Sequence, residues 1–116
     1  MQKPTELSAV SADARLYERL FLIADLCAHC WDVRREAIEA LPCSGEKVRM
    51  ARMAAIAIAS ELLRTRSERL ALHFGGDAGT TEAALNEMSQ RSERDYDLRI
   101  TMRFLKSACA AILGLS

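Results

Sequence analysis

Apolar residues recur at helical spacing along most of the chain, and the breaks in that spacing divide it into elements. Leu16, Leu20, Ile23, Ala24 and Cys27 fall three and four apart, the period of a helix that buries one face. The pattern predicts a first helix from about Ser11, which would cap it, to Cys30 or Trp31. Residues 1–10 hold Pro4 and small polar residues without period, and read as a flexible leader. Asp32 offers a carboxylate to the free N–H groups of a short second helix over residues 33–41, with Val33, Ala37, Ile38 and Leu41 apolar and Pro42 ending it.

A longer third helix is predicted over residues 46–65. Val48, Ala51, Ala55, Ile58, Ala59 and Leu62 form a stripe that Met50, Ile56 and Leu63 widen nearly all round, the mark of a central helix. Ser67 caps a short fourth helix, residues 68–74, which Gly75-Gly76 ends because glycine accepts the backbone angles of a tight exit. A fifth helix starts between Asp77 and Thr81 and runs to about Ser89. Ser92 caps a sixth that continues through Leu98, Met102, Leu105, Cys109 and Ile112. The expected fold is all-α, with about six helices packed as one compact domain over residues 11–116 and a helix-turn-helix within it.

Composition agrees: half the residues are hydrophobic and only 5% aromatic, which suits packed helices rather than strands. Charge adds more. Lys plus Arg equals Asp plus Glu at 16 each, so no global field draws the chain to nucleic acid or an anionic membrane. Locally the balance breaks. Residues 46–69 carry six bases (Lys47, Arg49, Arg52, Arg64, Arg66, Arg69) against three acids, and residues 77–97 carry six acids against two bases. There is no apolar run of about eighteen residues and no export-signal pattern, so a cytoplasmic protein with reduced thiols and no membrane partner is expected.

Candidate chemistry is sparse. No Ser/His/Asp or Cys/His set has a third orienting group at useful spacing, and no glycine-rich phosphate loop is present. Neither an enzyme nor a cofactor is expected. Cys27 and Cys30 share a helix edge with Cys43 nearby, but a structural zinc needs four ligands and His29 turns away from that edge; buried, inert thiols and no metal are the expectation. His73 reads as a helix-end residue rather than a phosphate ligand. Trp31 reads as packing between the first two helices, and Met50, Met53, Met88 and Met102 as core filler.

A short helix, a glycine turn and a second helix opening on hydroxyls outline a helix-turn-helix. Arg52, Glu61-Leu62, Phe74-Gly75-Gly76 and Thr80-Thr81 fall at spacings that resemble, without a gap over residues 48–81, the C-terminal DNA-binding domain of the bacterial replication-initiator DnaA family. The wider resemblance covers residues 20–113 and implies a DNA-reading domain standing alone, with no ATPase module. It also implies a DNA contact at the arginine of the long helix, matched by Arg52, and at Thr80 and Thr81.

The departures sit at the reading positions. Asp77-Ala78-Gly79 stand where the family has Arg-Asp-His, Glu82 replaces an apolar residue, and the basic loop shrinks to residues 42–47 with only Lys47. The expected DNA-binding set is Lys47, Arg49, Arg52, Arg64, Arg66, Ser67, Arg69, Thr80 and Thr81, better suited to phosphates than to base edges. Sequence-specific or semi-specific binding of double-stranded DNA is expected, in regulating transcription or replication initiation at the nucleoid, with a homodimer through the last helix as a further candidate. The alternative is a non-catalytic adaptor that keeps the fold and binds a protein of the transcription or replication machinery, which Asp77-Ala78-Gly79, Glu82 and Glu87 favour.

Overall fold

A computed structural model describes the backbone of residues 4–115 and the side chains of residues 12–115. Among the described residues the chain is all-helical: α1 (Pro4–Trp31), α2 (Arg35–Ile38), α3 (Glu46–Leu63), α4 (Ser67–Phe74), α5 (Ala78–Arg94) and α6 (Tyr96–Leu113). The apolar girdle of α3 has the predicted consequence, since α3 packs against each of the other five helices. Ala51, Ala54, Ala55, Ile56, Ile58 and Ala59 are buried along it, and the small alanines let neighbouring backbones approach closely. Ile23 and Cys27 of α1, Leu70 and Phe74 of α4, and Leu105 and Cys109 of α6 complete a single core. Among the described residues no helix is long and apolar enough to cross a membrane.

Several element boundaries differ from expectation, each for a local reason. α1 begins at Pro4, inside the segment read as a leader, and residues 1–3 lie outside the described ones. Proline is at home there because the first helical N–H groups have no intrahelical acceptor anyway, and Ser11 lies within the helix rather than capping it. Asp32 does not cap α2. It adopts a left-handed conformation with φ 55° as the chain leaves α1, and its N–H donates to the His29 carbonyl. That exit, with Pro42 downstream, leaves only one turn of helix, in which Ile38 is fully buried; Leu41, beyond its end, is exposed.

The expected caps at Ser67 and Ser92 are corrected as well. Ser67 is already the first residue of α4, after Arg66, which supplies no side-chain cap. Ser92 sits in the last turns of α5, which outruns its predicted end, and Asp95 caps α6 by accepting from the Leu98 N–H at 3.1 Å. Trp31 is partly buried against the core, as are Met50 and Met102, while Met53 and Met88 are inside it.

Candidate nucleic-acid interface

The corner formed by α4, the Gly75-Gly76-Asp77 turn and α5 is where the motif residues meet. Two successive residues with positive φ, Gly75 at 87° and Gly76 at 83°, reverse the chain. A Cβ on Gly75 would also stand 3.2 Å from the Leu41 backbone nitrogen, so the glycine answers both a conformational and a steric demand. Asp77 then starts α5. Its Oδ1 accepts from the Thr80 N–H and the Thr80 hydroxyl, each at 2.8 Å, while its own N–H faces Thr80 Oγ1 in a reciprocal capping box. Those bonds hold the Asp77 carboxyl below the usual carboxylate range.

Arg52 comes up to this turn from α3. Its Nε donates to the Phe74 carbonyl at 3.3 Å and Nη2 donates to the Gly75 carbonyl at 3.2 Å. These are end-of-helix carbonyls with no amide left to bond them, at the negative pole of α4, so a guanidinium there both satisfies acceptors and meets a favourable dipole. Only 6% of Arg52 is exposed, and burial lowers its pKa while leaving it charged. The expectation that Arg52 stands on an exposed contact surface is corrected: the side chain is the brace of the turn. Thr81 is corrected likewise. It is fully buried, and among the described residues its hydroxyl has no hydrogen-bond partner.

The remaining expected residues divide between two ends of α3. Arg49, Arg52 and Thr80 line one open groove with Pro42, Met53 and Ala83. Arg49 shares it with acids: it pairs with Glu46 at 3.6 Å and Glu87 at 3.7 Å, and Arg91 closes the network with 2.7 Å contacts to both carboxylates. Lys47 is exposed on the first turn of α3 beside it.

Arg64, Arg66, Ser67 and Arg69 lie at the α3–α4 junction, about 22 Å away along a helix rising ~1.5 Å per residue. Arg64 ends α3 with φ 51°, Arg66 precedes α4, and both are exposed. Arg69 pairs with Asp13 of α1. The α4 start therefore presents backbone N–H groups without a side-chain cap, flanked by two arginines, whereas the α5 start is closed by a carboxylate.

Some functional geometry was missed in the sequence. The His73 side chain is largely covered and bonded to Glu39, which also pairs with Arg35, and its ring packs edge-on against Tyr17 with centroids 5.3 Å apart. Glu39 and His73 are 34 residues apart, so no local pattern announces the pair. The Asp77 box was readable, because a carboxylate three residues before a threonine at a helix start is a capping signature. Cys27 and Cys109 are buried, and burial raises both thiols, Cys109 to about 11. Among the described residues no three His, Cys, Asp or Glu side chains are grouped to hold a metal ion. No family model matches the chain, and neither a curated protein nor a solved structure matches it with significance.

Proposed function

We propose that this chain is a DNA-docking domain of the DnaA C-terminal, helix-turn-helix type, which binds duplex DNA through phosphate contacts and regulates transcription or replication initiation at the nucleoid. The observation that carries the reading is the α4–turn–α5 corner, pinned by Arg52, with Arg64 and Arg66 around an uncapped α4 start. In helix-turn-helix docking the first helix crosses the backbone and the second enters the major groove. Arg64, Arg66 and the amides of α4 are suited to the phosphates, with Lys47 as an outlying contact.

Two or three such contacts give a slope of log affinity against log salt of about −2 to −3. Base reading is weak, because Gly79 has no side chain to offer and Glu82 brings a negative charge toward the groove. A fluorescence-anisotropy titration of mixed-sequence duplexes at two salt concentrations tests this. Binding that falls with salt and is lost in Arg64→Glu/Arg66→Glu supports the proposal, and absence of binding at low salt defeats it.

The adaptor reading keeps a specific observation of its own. Asp77 occupies the α5 start, and Arg49 and Arg91 are neutralised by Glu46 and Glu87, so the groove beside α5 is poorly suited to a polyanion. A chain that ignores duplexes at low salt would turn attention to a protein ligand for that groove.

A further inference from the structure

The side of the molecule formed by α1 and α6 carries apolar side chains that the fold does not bury. Phe104 is 73% exposed, and Ile100, Ile112 and Leu22 are exposed as well. Ile100, Phe104, Ala108 and Ile112 are spaced four apart on α6, one surface stripe of a helix. Beside it runs an open, almost wholly apolar groove whose walls are Leu26 and Cys30 of α1 and Thr101, Phe104 and Ala108 of α6. α1 and α6 run antiparallel here, since Cys30 shares a concavity with Leu98 and Thr101 while Leu26 shares one with Leu105 and Ala108.

We infer that this face is the interface of a symmetric homodimer. The charges at its edges select the arrangement. Arg103 borders the stripe on the α6 edge, where Arg99 is held by the Ser92 and Glu93 carbonyls; Glu18 and Asp25 border it on the α1 edge, with Arg19 between them along the chain and Arg15 farther toward Ile112. A two-fold axis parallel to the helices lays α6 of each copy over α1 of the other, so that Arg103 faces Asp25 across the contact. An axis perpendicular to them would lay α6 on α6 and α1 on α1, with the two arginine-bearing edges brought to the same side.

A second copy is thus complementary in both hydrophobicity and charge. Phe104, overhanging the groove, supplies the aromatic anchor at its centre. An 18-residue helix is ~27 Å long, and two helices abreast give a face at the small end of stable interfaces.

Sedimentation velocity of the full chain at about 1 μM and about 100 μM tests the inference. The mass should rise from 12.9 kDa toward twice that value, and Phe104→Glu should hold it at the monomer value, with a helical melting curve unchanged from wild type at concentrations where wild type is monomeric. Arg103→Glu should weaken the dimer several-fold, and adding Asp25→Arg should restore it. A wild-type chain that remains monomeric at the higher concentration overturns the inference, as does a Phe104→Glu chain that still dimerises or a charge swap that restores nothing.

Discussion

The α4–turn–α5 corner and the α1–α6 face invert each other's chemistry. At the corner, a guanidinium and a threonine hydroxyl are inside, and the turn is built around the arginine. On the α1–α6 face a phenylalanine and two isoleucines are outside. Residue type alone does not assign side. An arginine goes inside when unpaired helix-end carbonyls await it, and an apolar stripe stays outside when none of the described helices covers it.

The largest effect expected from breaking this contrast is at Arg52. Arg52→Ala leaves two carbonyls without donors, each charge-assisted bond contributing ~1.5–3 kcal/mol, so the chain should lose about 3 kcal/mol or more in urea denaturation. Arg52→Lys should recover only part, because an ammonium cannot span both acceptors with the same fork. A variant as stable as wild type would mean that the turn does not depend on the brace. Gly75→Ala comes next, at about 1–2 kcal/mol, from a side chain forced to positive φ and pressed on the Leu41 backbone. Phe104→Glu, by contrast, should leave monomer stability within about 0.5 kcal/mol.

Asp77 sharpens the comparison through pH. Its folded-state pKa is lowered by the Thr80 bonds, so its contribution is present above the ordinary carboxylate value of 3.8 and fades as pH falls through the lower, folded value. Asp77→Asn keeps a capping acceptor without the titration. Neutral-pH melting should change little, and the acid-side fall in melting temperature below about pH 4 should become shallower. A parallel pair of acid profiles would show that the box is not formed in solution.

The smallest effects are chemical. Desolvation pushes up the Cys27, Cys30 and Cys109 thiols alike, but Cys30 is exposed whereas Cys27 and Cys109 are buried. A thiol reagent at neutral pH should modify Cys30 first, with Cys27 and Cys109 reacting only on unfolding. Early labelling of Cys109 would indicate that α6 detaches readily from the core.

Much of this was legible along the chain. The girdle of α3 predicted its central place, and Phe74-Gly75-Gly76 predicted the turn, because periodicity and glycine report directly on local backbone and burial. What was not legible depended on competition or distance. Asp95 took the cap assigned to Ser92, Asp32 left the helix instead of starting one, and the pairing of Arg52 with carbonyls 22 and 23 residues away has no local signature. The expected site residues were read as one surface, yet α3 separates them to opposite ends and Arg52 and Thr81 lie beneath it.

Amide chemical shifts of labelled protein titrated with a short mixed-sequence duplex would compare the two regions in one experiment. If the α4–turn–α5 corner is the docking side, the perturbed amides will be those of residues 64–69 and 78–83, with Lys47, and those of residues 100–112 will stay in place. Shifts confined to α6, or none at low salt, would contradict it.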